Sequence, residues 1–153
     1  MFKISFSSES MKRPRPQQIE QLASASEMDL RYEYFETDVS LTVKGFGTEE
    51  FPGTPAIDFI FCILIAASDV RKGNIGKVTF TENDMVVQFA PSGLDVSVVR
   101  SWDSLHGLCE IGEFFSGAIE FCGELLQCIV QNFPAFRRNP AHSKLVGMLA
   151  DLR

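Results

Sequence analysis

Apolar and polar residues alternate along the first few positions. Phe2, Ile4 and Phe6 fall on one face and Lys3 and Ser5 on the other, which predicts a strand over residues 2–7. Residues 8–28 lack any such period and contain the run Lys12-Arg13-Pro14-Arg15-Pro16, whose prolines disfavour regular structure. A short helix over 17–25, with Pro16 at its start, fits the residues. The rest of 8–28 reads as a mobile connection. Alternation returns over 30–45. Tyr32 and Tyr34 share a face, then Val39, Leu41 and Val43 do, with Thr37-Asp38 as a turn or bulge. Gly45-Phe46-Gly47 breaks the pattern, and Phe51-Pro52-Gly53 reads as a turn.

Thr54-Pro55 has the residue types of a helix start, with Thr as N-cap and Pro at the first helical position. The body that follows, from Ala56 to Ala67, is apolar nearly all round and is expected to be buried on most sides. Arg71 and Lys72 suit its last turn and Gly73 its end. Three strands are predicted next, over 77–81, 85–89 and 94–100, with turns at Glu82-Asn83-Asp84 and Pro91-Ser92-Gly93. Their inward residues are Val78 and Phe80, then Met85, Val87 and Phe89, then Leu94, Val96 and Val98. A long amphipathic helix is predicted over 108–133. Its stripe includes Leu108, Ile111, Phe115, Ala118, Cys122, Leu125 and Ile129, and Pro134 ends it. Asn139-Pro140 starts a terminal helix carrying Leu145, Met148, Leu149 and Leu152. The order predicts an α+β fold in one domain, 1–153: an antiparallel sheet of about five or six strands, a buried central helix and two C-terminal helices.

Composition adds bounds. A chain of 153 residues is one domain in size and buries enough surface to need no disulfide or metal. The longest apolar stretch, 57–67, rises only about 16 Å as a helix, against a bilayer core of about 30 Å. The N-terminus lacks the apolar segment of a signal peptide. A soluble, cytoplasmic protein without a membrane anchor is the expectation. Cys62, Cys109, Cys122 and Cys128 lie within apolar patterns and form no CxxC pair, so they read as reduced core thiols; no metal and no cofactor is expected. The net charge of −6 argues against nucleic acid as a ligand.

That charge is uneven. From Ser104 to Phe136 the chain has four acids, Glu110, Glu113, Glu120 and Glu124, and no Lys or Arg. Their spacing puts all four on one helical face. Residues 29–53 carry six acids against Arg31 and Lys44, and Glu49 and Glu50 among them form a secondary patch. Most charge runs are solvated faces. The alternative is docking of a basic partner, which would relieve the like-charge repulsion and steer association.

No catalytic motif is present, and no catalytic residue is expected. His106 beside Asp103 could in principle act as a general base, and Cys109 lies near the predicted helix start, where a thiol pKa falls. Neither has a nucleophile motif or an oxyanion site beside it. His142 sits in the first turn of the terminal helix and reads as a surface residue.

The stretch from Tyr32-Glu33-Tyr34-Phe35 to Trp102 contains the buried helix Phe59-Ile60-Phe61-Cys62-Ile63-Leu64 and the Gly73 stop before a strand meander. It resembles small bacterial immunity-type proteins, which are encoded beside secreted or contact-delivered toxins and neutralise them by binding. With the long helix added, the resemblance spans about residues 30–136. It rests on layout, size and acidity, and no family residue is carried over. It implies a non-catalytic protein that occludes a cognate toxin domain, many of which are basic nucleases. Two other classes follow from the residues. One is a small-ligand carrier or small enzyme with a pocket near Trp102, His106 and Cys109. The other is a homo-oligomeric scaffold subunit that uses surplus apolar surface on the long helix.

Overall fold

The computed structural model describes residues 1–80 and 83–153. Within them the fold is α+β, and the strands form two antiparallel sheets rather than one of five or six strands. The first sheet contains β1 (Phe2–Phe6), β2 (Glu36–Val43) and β3 (Gly47–Pro55) in that order. The second is a meander of β4 (Gly76–Thr79), β5 (Val86–Ser92), β6 (Asp95–Arg100) and β7 (His106–Glu110). The helices are α1 (Pro16–Glu20), α2 (Glu27–Asp29, continued by a wider turn over Leu30–Tyr34), α3 (Ala56–Arg71), α4 (Ile111–Asn132) and α5 (Pro140–Leu152).

Two strands account for the different strand count. Residues 47–55, expected as a break and a turn, form β3. It is an edge strand, the place in a sheet that tolerates Pro52. The β2–β3 hairpin turns at 44–46, where Gly45 has φ 113°. The Thr37-Asp38 region is a bulge rather than a turn: the register passes from Thr37↔Thr54 to Val39↔Phe51, so the extra residue lies in β3. There the Gly53 N–H donates to Asp38 Oδ1 at 2.9 Å.

The second strand, β7, takes residues expected to open the long helix. Gly107 and Cys109 are buried while His106, Leu108 and Glu110 are exposed, a period of two. Leu108, placed by the sequence on the helix stripe, is therefore an outward strand residue, 51% exposed. The two sheets touch where β7 passes the hairpin tip. The Leu108 N–H donates to Lys44 O at 2.9 Å, and a Cβ on Gly45 would lie 2.3 Å from His106 O.

Other boundaries move by a residue. Thr54 is still inside β3 and donates its hydroxyl to Phe51 O at 2.8 Å, and Pro55, the last residue of β3, rather than Thr54 occupies the N-cap of α3. Leu94 sits in the β5–β6 turn at 82% exposure, and Arg100 instead joins Val96 and Val98 on the inner face. Thr81 and Glu82, assigned above to a strand end and a turn, lie outside the described residues.

The inner faces of both sheets, α3, α4 and α5 share one hydrophobic cluster. Phe2 of β1 meets Phe89 of β5 at 6.0 Å and Phe114 of α4 at 5.2 Å, which ties the sheets together through the core. Gly117 lets β1 cross α4, since a Cβ there would stand 2.7 Å from the Phe2 ring. Segment 8–28, expected as a mobile connection, is laid against this body. Leu22 is fully buried, and its carbonyl and that of Ala25 accept from Asn139 Nδ2 at 2.8 and 2.9 Å.

Candidate functional site

The four glutamates of the predicted acidic face have different surroundings. Glu110 is the last residue of β7 and the N-cap of α4, so it stands ahead of the helical face. Its backbone N–H donates to Glu113 Oε1 at 3.1 Å, half of a capping box that satisfies a donor the helix cannot. The other Glu113 oxygen lies 3.5 Å from the Met1 ammonium. Glu120 and Glu124 are exposed, one turn apart on α4, and among the described residues no cationic group lies within 4.0 Å of either. Glu110 is exposed as well and, among the described residues, has no such partner, so of the predicted stripe only Glu113 is paired, and Glu120 and Glu124 are the two unpaired acids within the helix itself.

Glu49 and Glu50 do not form a patch. Consecutive strand residues point to opposite faces. Glu49 is paired with the buried Leu41 and shares the inner face, while Glu50 is opposite Ser40 on the outer face. Glu50 Oε2 accepts from the Ser40 hydroxyl at 2.7 Å. Glu49 Oε2 takes Arg100 Nη1 at 3.0 Å.

Arg100 is 4% exposed, and it organises the region where a pocket was expected. Its guanidinium donates to both oxygens of Asp103 and lies 4.3 Å over the Phe46 ring and 5.5 Å from that of Trp102. Asp103 also accepts from the Leu105 N–H at 3.0 Å. This carboxylate is thus committed to Arg100 and the loop backbone rather than to His106, which is exposed. Cys109 is buried, with its thiol against Val96 O at 3.8 Å, and burial pushes it up to about 11. It is the neutral core thiol that its apolar surroundings suggested. Burial also raises Cys122, and raises Cys62 to about 11 with help from the Asp58 charge. All four cysteines are free.

One concavity lies elsewhere, where β3 runs into α3. A cleft of about 230 Å³ opens there between Phe51, Phe59, Phe80 and Met85, with Glu50 and Asp58 among its lining. Phe51 separates it from Trp102, which meets that ring edge-on at 6.1 Å. Asp58, in the first turn of α3, is 6% exposed, and its Oδ1 accepts from Arg31 Nε and Nη2, each at 2.7 Å. Arg31 in turn lies over the Phe61 ring at 4.8 Å and 3.6 Å from Glu27. Glu27 takes Lys144 of α5 at 2.9 Å.

The sequence offered one signal for the Asp58–Arg31 network: Asp58 interrupts an otherwise apolar run. Its partner Arg31 is 27 positions away, and nothing in the periodicity joins them. Arg100 occupies an inward position by strand parity, a signal obscured by its charge. Among the described residues no group of three or more His, Cys, Asp or Glu side chains is placed to hold a metal ion, and no helix is long and apolar enough to cross a membrane. No family model, no curated protein and no solved structure matches this chain.

Proposed function

We propose that the protein is a binding protein that docks a basic partner protein against the Glu120–Glu124 face of α4. On this reading it is a cytoplasmic immunity-type protein of the kind its layout resembles, the partner is a toxin domain such as a basic nuclease, and no catalytic step is involved. The observation that carries the reading is the contrast in charge pairing. Glu49, Glu113, Asp58 and Asp103 each have a cationic group within 4.0 Å. Glu120 and Glu124 are exposed at i, i+4 spacing, where like charges cost about a few tenths of a kcal/mol. A cationic surface laid across them removes that repulsion and accelerates encounter by steering.

The test uses the full chain and the product of the neighbouring reading frame, co-expressed and then mixed as purified proteins. Glu120→Lys/Glu124→Lys is expected to slow association and to remove protection from that product, and Glu50→Lys is expected to leave both intact. The wild-type association rate should fall as salt rises from low to about 0.15 M, where the Debye length is about 8 Å. An unchanged rate in the double reversal, or a rate indifferent to salt, overturns the reading.

A further inference from the structure

We infer that the cleft between residues 12–18 and residues 32–36 binds a small phosphorylated ligand with a hydroxylated body, a sugar phosphate in class. This site is separate from the Glu120–Glu124 face and does not rest on the partner-binding proposal.

The cations argue for the phosphate. Lys12, Arg13 and Arg15 all line this one cleft, in a chain whose net charge is −6. Among the described residues no carboxylate lies within 4.0 Å of any of the three. Their backbone is fixed without using their charge. Pro14 and Pro16 hold the residue before each in extended conformation, and Arg15 has φ −66° and ψ 154°. Pro14 is buried, while Arg13 and Arg15 on either side of it are exposed. The Lys12 N–H donates to Glu36 O at 2.9 Å. At the other end Gln18 joins the two walls: its Oε1 accepts from the Arg15 N–H and its Nε2 donates to Glu33 O, each at 2.9 Å. Arg13 also lies over the Phe133 ring at 5.3 Å. Two arginines on one rigid segment present planar forks of the geometry that phosphate oxygens accept.

The remaining walls argue for the hydroxylated body. Every residue lining the cleft carries a polar side-chain group, and Tyr32, Tyr34, Glu33 and Glu36 complete it. An apolar body would desolvate these groups without replacing their hydrogen bonds. Lys12 stands opposite Glu36 across a single antiparallel bridge, so these two charges offset each other and the arginines exceed Glu33 by one. A bare anion gains from the arginines and meets the carboxylates as like charges. A ligand with an anionic end and several hydroxyls satisfies both, because carboxylates and phenol oxygens accept from O–H donors. The volume, about 390 Å³, equals the liquid share of about 13 waters, enough for one sugar ring with its phosphate.

The experiment follows backbone amide shifts of the full-length protein, at constant ionic strength, on titration with glucose 6-phosphate, with glucose and with inorganic phosphate. Glucose 6-phosphate is expected to shift the amides of Arg13, Arg15, Gln18 and Glu33 saturably, with a Kd on the order of 1 mM. Glucose is expected to bind at least about tenfold more weakly, and inorganic phosphate about threefold or more. Arg13→Gln/Arg15→Gln should weaken glucose 6-phosphate at least about tenfold. Lys72→Gln/Lys77→Gln removes the same charge at positions that do not line the cleft, and should leave the affinity within about twofold. No saturable shift at the cleft amides, equal affinity for glucose or for inorganic phosphate, or an equal loss in the two double variants each overturns the inference.

Discussion

Arg100 of β6 and Glu49 of β3 join the two sheets through a 3.0 Å contact between Nη1 and Oε2. Arg100 is nearly buried, while the Glu49 and Asp103 side chains each keep 33% of their surface exposed. Arg100→Ala removes a shared partner and leaves both carboxylates without their cation. The expected cost is about 3 kcal/mol, at the low end for a broken buried pair because both acids reach water. Arg100→Lys keeps the charge and loses the planar fork, and should fall between the two. Urea denaturation measures both variants; an Arg100→Ala midpoint equal to wild type contradicts the role given to this contact.

Asn139 performs two tasks at once. Its Oδ1 accepts from the Ala141 N–H at 2.9 Å and caps α5, while its Nδ2 holds the carbonyls of Leu22 and Ala25. Asn139→Asp retains the cap and loses both donors, so it should cost about 2–3 kcal/mol. Hydrogen exchange should accelerate in residues 20–26 while α5 stays protected. If α5 frays and 20–26 do not change, the tether has been assigned wrongly.

Two glycines should respond to alanine with opposite sign. A Cβ on Gly76 would stand 2.4 Å from the backbone oxygen of Ala66, so β4 and α3 must separate. The expected loss is about 3 kcal/mol, the upper part of the overpacking range, because backbone yields less than a side-chain tip. Gly147, inside α5, has nothing within 4 Å of its Cβ position. Gly147→Ala should stabilise by about 0.5–1 kcal/mol through helix propensity and a less entropic unfolded chain. Thermal denaturation of the two variants side by side checks the signs.

His142 gives stability a pH dependence. Burial lowers its pKa below 6.5, and the Arg137 charge lowers it further. The folded protein then binds fewer protons at this site than the unfolded chain does. Stability from this group is therefore complete above about pH 6.5, the unfolded value, and is lost as pH falls toward the depressed folded value. Denaturation midpoints between pH 7.5 and 5.5 should decline in the wild type and decline less in His142→Gln. Parallel curves for the two proteins would exclude His142 as the source.

Local pattern was legible where one face of an element is buried. The alternation of Phe2 and Ile4, the apolar run of α3, the Val87 and Phe89 pair and the Asn139-Pro140 start all appear in the structure as read. The candidate site was less legible. The heptad spacing that aligned Glu113, Glu120 and Glu124 holds for a helix, and Glu110 left the set because the helix starts one residue later. For Glu49 and Glu50 the error was one of period: adjacency in sequence means opposition across a strand.

Residue order was enough for the α+β class, the central buried helix and the uneven charge, since each depends on spacing within a dozen residues. The split into two sheets, the Arg100–Glu49 and Arg31–Asp58 pairs, the tether from Asn139 and the cleft beside Phe80 depend on residues up to 117 positions apart. Such contacts form only when packing brings distant elements together. A charged residue enters the interior only where a counter-charge stands beside it, and for Asp58 with Arg31 and Arg100 with Glu49 that partner comes from another element, which no local pattern records.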